Sequence, residues 1–213
     1  MPAADRPPLT RERIVVTAIE LVDEEGIEAL SMRKLGARLG VEAMSLYNHV
    51  DNKDDVLDAM LDHVLAEIPL PDESRPWDVQ LTELSHAFRA AGHRHPGVLP
   101  LFGSRAIRSV GGFAPLERAY AILRDAGLDP DDALDAFFTA SSFVLGFVIT
   151  ELGGFREVAA GRTIDFRTIE AESHPTLFEM GMAFLNRDGD REFGFGIDML
   201  LAGVRRRLDQ RAG

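Results

Sequence analysis

The chain contains no cysteine, which excludes a disulfide framework and any thiolate metal site. Positive charge is scarce. Lys and Arg number 23 against 35 Asp and Glu, for a formal net charge of −12. Tryptophan occurs once and tyrosine twice, against 13 phenylalanines. No apolar run reaches the ~18 residues of a membrane span, and the opening "MPAADRPPLTRER" lacks the apolar centre of a signal peptide. Period-two alternation is absent, so no sheet is expected. A nucleophile elbow, a phosphate-binding glycine loop and an H-E-x-x-H pair are absent too, and the acids and histidines are scattered. These absences point to a soluble, cytoplasmic, all-helical protein with no membrane contact, no cofactor and no enzyme centre in motif spacing. The 213 residues, 46% hydrophobic, suffice for one large or two small domains with a substantial core.

What is present reads almost entirely as helix. Thr10 is a cap for a first helix with Ile14, Ala18, Leu21 and Val22 on one stripe, which Gly26 ends. Ser31 caps a second, with Met32, Leu35 and Leu39 inward and Gly40 at its end. Glu42 to Val50 form a short third helix. Asp51 or Asn52 caps a fourth, over 53–67. Pro69, Pro71 and Pro76 then interrupt the chain. Further helices are expected at about 77–92, 98–108, 113–125, 130–152, 175–186 and 190–209, with Gly111-Gly112, Gly127, Gly153-Gly154 and Gly161 in loops.

The acidity argues against nucleic acid, because phosphate binding needs cations. Locally the balance reverses: residues 29–41 hold Arg33, Lys34 and Arg38 and no acid. Two short helices joined at Gly40 fit a helix-turn-helix. Gly40 supplies the positive φ of a tight turn, Gly36 permits close approach, and Leu46 points back into the core. With Leu46 and Val50 inward, Ala43, Met44, Ser45, Tyr47, Asn48 and His49 face outward. Ser45 and Asn48 suit base edges, Ala43 and Met44 a thymine methyl, Tyr47 and His49 phosphate oxygens. Arg33 can reach a guanine or the backbone, and Lys53 adds a cation at the next helix start. Any glycine-linked helix pair shares part of this pattern, and Tyr47 and His49 also fit a packed seam.

The stretch "TAIELVDEEGIEALSMRKLGARLGVEAMSLYNHVDNKDDVLDAML" closely resembles the N-terminal domain of TetR-family bacterial transcriptional repressors, over roughly residues 10–62. Leu46, Tyr47, His49 and Val50 form the L-Y-x-H-V core, followed by Lys53. The segments "FVLGFVITE" (143–151) and "FGFGIDMLLAGVRRRL" (193–208) resemble the tetracycline-repressor branch. The resemblance implies an all-helical homodimer that binds a palindromic double-stranded operator and releases it when a small-molecule effector enters the C-terminal domain. The expected division is a three-helix DNA-binding domain over 1–52, ordered from about 10, and a helical ligand-binding and dimerisation domain over 53–213.

Helix 130–152 is apolar nearly all round, and 190–209 carries Phe193, Ile197, Leu200, Leu201, Val204 and Leu208 on a broad stripe. These two helices and their symmetry mates are expected to form an intersubunit four-helix bundle; two core helices of a monomer are the plainer reading. An apolar, aromatic effector pocket is expected among Leu84, Phe88, Phe102, Phe113, Phe138, Ser141, Phe147, Phe178 and Met182, with Arg105 and Glu151 as polar groups. Phenylalanines also serve as plain core, and Arg105 and Glu151 as surface ion pairs. The tetracycline pattern is broken: Pro100 and Leu101 stand where its metal-chelating histidine falls, and Ile68 and Leu84 replace its drug-holding His and Asn. Tetracycline–magnesium is therefore not the expected effector. His93 and His95 form an H-x-H pair without a third ligand nearby, read as a helix-end turn and not a metal site. The competing function is a small-molecule-binding protein or enzyme without operator binding.

Overall fold

The computed structural model describes residues 7–159, 169–184 and 188–212, with 154–159, 182–184 and 212 described by backbone alone. The helices are α1 (Arg11–Glu25), α2 (Met32–Leu39), α3 (Ala43–Leu46), α4 (Lys53–Ala66), α5 (Trp77–Arg94), α6 (Val110–Asp125), α7 (Pro130–Ala159), α8 (Pro175–Phe184) and α9 (Gly189–Ala212). Short 3-10 turns occur at Ile27–Ala29 and Leu99–Leu101. No strand occurs among the described residues, and the fold class is all-α.

Packing divides the chain into two compact units, Met1–Asp125 and Ala126–Gly213. In the first, α4 packs on α1 and, most extensively, on α6. Residue 53 therefore marks a change of expected role within one packed unit. Local chemistry sets the helix ends. Thr10 accepts the Arg13 N–H at 3.2 Å, Ser31 that of Lys34 at 3.2 Å, and Asn52 that of Asp55 at 2.9 Å. Gly26, at φ 85°, closes α1. The stripes Ile14, Ala18, Leu21, Val22, then Leu35, Leu39, Leu46, Val50, then Val56, Met60, Leu61, Val64 are all buried.

Residues 98–108 are not the expected helix. After one 3-10 turn Gly103 takes φ 80°, and the Arg108 N–H donates to the Asp62 carboxylate at 3.0 Å instead of to a backbone carbonyl. Gly111-Gly112 lie inside α6, not in a loop. Ser109 Oγ accepts the Gly112 N–H at 2.9 Å, and a Cβ on Gly112 would come within 2.6 Å of Asp62 Oδ1, so this glycine serves the approach of α6 to α4. Gly153, another expected loop residue, lies within α7. The Gly161 turn and residues 185–186 of the expected 175–186 helix fall outside the described residues.

The H-x-H pair divides. His95 Nδ1 lies 3.0 Å from Asp23 and Nε2 lies 3.2 Å from Glu67, while His93 is exposed near the end of α5. Asp23 also accepts the Gly97 N–H at 2.8 Å, and a Cβ on Gly97 would overlap the Val22 carbonyl. The loop after α5 is thereby seated on the last turns of α1.

In the second unit Asp129 caps α7 by accepting the Asp132 N–H at 2.8 Å. Arg207 and Arg211 each reach Asp132 at 3.0 Å, and Arg211 also pairs with Asp129. Cations at the end of α9 thus meet acids at the start of α7, complementing both helix dipoles. Phe143, Phe147 and Phe193 form a ring cluster with centroids 5.2–5.8 Å apart. Other large apolar groups face outward: Leu134, Phe138 and Ile149 on α7, Phe195 and Met199 on α9. Residues 130–153 are long and apolar enough to cross a bilayer by length and composition. This corrects the expectation that no segment reaches that length; scattered Ser, Thr and Gly break each apolar run without making the helix polar.

A Cβ on Gly196 would fall inside the Phe143 ring. Gly196→Ala is therefore expected to destabilise the α7–α9 pair by about 1–3 kcal/mol, read as a lower midpoint in urea unfolding. Adding Phe143→Leu should give a double variant that loses less than the sum of the two single losses; a double loss equal to that sum would show that the two sites are not coupled.

Candidate nucleic-acid interface

The interface is built on a constrained turn. Gly40 adopts the left-handed conformation (φ 72°, ψ 31°), and Val41 N–H returns to Gly36 O at 2.9 Å, satisfying carbonyls at the end of α2. A Cβ on Gly36 would lie 3.0 Å from Val41 O and 3.2 Å from Ala43 Cα, so α2 and α3 meet closely there. Leu46 is fully buried and Val50 nearly so.

The third helix is shorter than the expected 42–50. Glu42 is extended (φ −68°, ψ 142°), and α3 is one turn, Ala43–Leu46. Beyond it the backbone tightens, with Asn48 N–H on Ser45 O at 3.4 Å and His49 N–H on Leu46 O at 2.9 Å. The reason lies downstream. Val50 must point inward, and Asn52 must be extended to cap α4 (φ −166°, ψ −175°), so few residues remain to turn the chain.

This turn presents the expected set to solvent. Arg33, Met44 (75% exposed), Tyr47 (43%), Asn48, His49 and Lys53 are exposed; Ala43 and Ser45 are half-buried. Among the described residues, the polar groups of the Arg33, Ser45, Tyr47, Asn48, His49 and Lys53 side chains have no hydrogen-bond or ion-pair partner. The two other local cations are engaged. Arg38 holds Glu24 at 2.5 and 2.7 Å, and Lys34 pairs with Glu25. The Arg38 hydrogen bonds lower the Glu24 carboxyl below its ordinary range. The local +3 of the sequence is therefore not one cationic face; two of the three charges are matched by acids of α1.

Sequence reasoning missed Arg11, whose fork holds Asp55 at 2.7 and 2.6 Å and whose Nη1 also reaches His49 O at 3.3 Å. Asp55 accepts the Asp51 N–H at 2.9 Å as well. No local pattern links positions 11 and 55; only the packing of α1 on α4 does.

Two family models match this chain: "Bacterial regulatory proteins, tetR family" over residues 14–60, and "Tetracyclin repressor-like, C-terminal domain" over residues 70–208. The chain belongs to the TetR family. An HTH-type transcriptional regulator of Saccharopolyspora erythraea is 41% identical over 147 residues, covering 68% of this chain and 62% of that regulator. The repressor DrrR1 of Streptomyces coeruleorubidus is 29% identical over 98% of this chain and 82% of its own. The crystal structure of ActR from Streptomyces coelicolor in complex with actinorhodin has a TM-score of 0.79 and 31% identity, over 95% of this chain and 99% of ActR. As a TetR-family member this protein is a ligand-responsive DNA-binding transcriptional regulator and not an enzyme. Family regulators bind operators and small molecules, typically as dimers.

The residues expected at an effector pocket fall in both units. In the first unit Leu84 is buried, and Phe88 and Phe102 meet edge to face at 5.0 Å. Phe113 is 45% exposed. Arg105 pairs with Asp54 at 2.6 Å and Asp58 at 3.4 Å, and Arg108 reaches Asp58 at 3.0 Å. Arg105 is the one member of the expected set that lines a groove of about 690 Å³ between the 27–29 turn, the start of α4 and residues 100–108. In the second unit Phe147 belongs to the ring cluster, Phe138 is exposed, and Ser141, Glu151 and Phe178 are half-buried. The Met182 side chain lies outside the described residues.

The Arg11 hydrogen bonds hold the Asp55 carboxyl at about 2, down from 3.8. Because the folded value is depressed, the pair's stabilisation is complete above about pH 4 and disappears as pH falls through about 2. For an exposed fork it amounts to no more than about 1 kcal/mol. Asp55→Asn should therefore be less stable than wild type by a constant margin at neutral pH, a margin that closes on acidification. Denaturation curves across the acid range measure it; a margin unchanged at low pH would refute the assignment.

Proposed function

We propose that this regulator is a cytoplasmic homodimeric repressor that reads a palindromic operator through Arg33, Ala43, Met44, Ser45, Tyr47, Asn48, His49 and Lys53. The observation that carries the reading is the set of outward polar side chains on 33–53 that satisfy nothing within the described protein. Water satisfies these groups in the free protein; where docking removes that water they need new partners, and base edges with phosphate oxygens supply them. Ser45 and Asn48 take the bases, Ala43 and Met44 the apolar contacts, and Tyr47, His49 and Lys53 the phosphates.

Residues 1–52 are the reading head, and 53–213 carry the effector and the subunit contact. The uncovered apolar groups of α7 and α9 support a four-helix bundle with a second copy. The same covering by a partner accounts for a helix apolar enough for a bilayer in a regulator. Dimerisation spaces two heads about 34–36 Å apart, one helical turn of DNA. An effector that favours a different spacing by ~1.4 kcal/mol lowers the population ratio tenfold. The phenylalanine-rich composition favours an apolar or aromatic effector, and the actinorhodin complex of ActR supports an organic small molecule. Position 68 is Ile, 84 is Leu and 100 is Pro, which removes the residues of a tetracycline–magnesium site.

A duplex selected by the protein from a random pool provides the binding probe. Lys53→Ala should weaken binding to every sequence and reduce the salt slope of log affinity by about two, one for each protomer, whereas Ser45→Ala or Asn48→Ala should change the selected sequence. Tyr47→Phe should weaken binding uniformly. If Tyr47→Phe and Lys53→Ala bind as wild type does, the contact assignment fails. Phe138→Asp with Phe195→Asp should yield monomers in sedimentation and lose affinity for the full palindrome; a dimer that survives both changes rules out the α7–α9 bundle.

A further inference from the structure

We propose that Arg11 and Asp55 are positioning residues for operator binding: their ion pair holds the backbone from His49 to Asn52, and with it the direction of the recognition side chains, without either residue touching DNA. The inference rests on the reading of 43–49 and Lys53 as the DNA-facing set.

A helix of one turn does not hold itself, because nucleation costs more than its few hydrogen bonds return. Tyr47, Asn48 and His49 lie beyond the end of α3, in a turn whose Asn48–Ser45 bond is long at 3.4 Å. Their orientation must therefore come from tertiary ties. Burial of Leu46 and Val50 anchors one side. On the other side a single ion pair meets the same stretch repeatedly. Arg11 Nη1 donates to His49 O at 3.3 Å. Asp55 Oδ2 accepts the Asp51 N–H at 2.9 Å, and the Asp55 N–H closes the Asn52 cap at 2.9 Å. The guanidinium fork lies bidentate on Asp55, the geometry that fixes both partners most firmly. The segment between the recognition turn and α4 is thus tied to the first turn of α1.

The test turns on a sign. Removing an acid beside DNA strengthens binding on electrostatic grounds alone, whereas loss of a positioning tie weakens it. Affinities are measured by fluorescence anisotropy on the pool-selected duplex between 50 and 200 mM salt, well below each variant's unfolding temperature, with the folded fraction set by circular dichroism. Asp55→Asn, nearly the same shape, should lower affinity on the order of tenfold, the scale of a lost base contact, with an unchanged salt slope. Arg11→Ala should do the same. Arg11→Lys, which keeps the charge without the fork, should fall between Arg11→Ala and wild type. Asp55→Asn binding as tightly as wild type, or more tightly, overturns the proposal. So does an Arg11→Ala slope reduced by about two, one for each protomer, which would make Arg11 a phosphate contact. Lys53→Ala and Tyr47→Phe, run alongside, test the underlying reading: if they are silent while Asp55→Asn weakens binding, the tie acts on some other surface and both statements fall.

Discussion

Leu46 is removed from solvent at the centre of the reading head, and every side chain around it takes its direction from that fact. One helical turn offers one inward position. Once Leu46 occupies it, Met44, Tyr47 and Asn48 face out. Gly36 and Gly40 make the arrangement possible, the first by admitting the backbone of Val41 and Ala43, the second by taking the left-handed turn. A larger residue at 36 or a β-branched one at 40 would move α3 away from its seat, and the outward set with it.

Charge is distributed so that an acidic protein can face DNA. Most of the cations near the head are matched within it: Arg38 by Glu24, Lys34 by Glu25, Arg11 by Asp55, Arg105 by Asp54 and Asp58. These pairs join α1 to α2, α1 to α4, and α4 to the 100–108 segment, so the charges act as fastenings. Arg33 and Lys53 remain unmatched among the described residues, one on each side of the recognition turn. A head with two open cations and a few hydrogen-bonding groups binds phosphate weakly by itself, and two heads on one duplex are the economical way to useful affinity.

The second unit meets a different constraint. Its helices carry more large apolar groups than the described residues cover. The Phe143, Phe147 and Phe193 rings fill the contact between α7 and α9, with Gly196 making room, and Phe138, Phe195 and Met199 are left outside. An apolar surface of that kind is what the proposed bundle with a second copy would cover.

Local chemistry was legible from the chain alone. Thr10, Ser31 and Asn52 cap, Gly26 and Gly40 terminate, and the 3.6-residue stripes of α1, α2 and α4 are buried, because each depends on residues three or four apart. The L-Y-x-H-V core and the outward register of 43–49 were legible for the same reason. What depends on distant partners was not. The pairing of Lys34 with Glu25 and of Arg38 with Glu24 joins one helix to the next; the Arg11–Asp55 fork, the unwound 102–109 segment held to Asp62, and Gly112 as a contact residue inside α6 join positions dozens of residues apart or follow from such a join. The sequence by itself determined where helices begin, where they end and which face of each is apolar. The tertiary structure alone decided which charges are already satisfied, and hence which stay unmatched among the described residues, because an ion pair is a fact about distance in space and not along the chain.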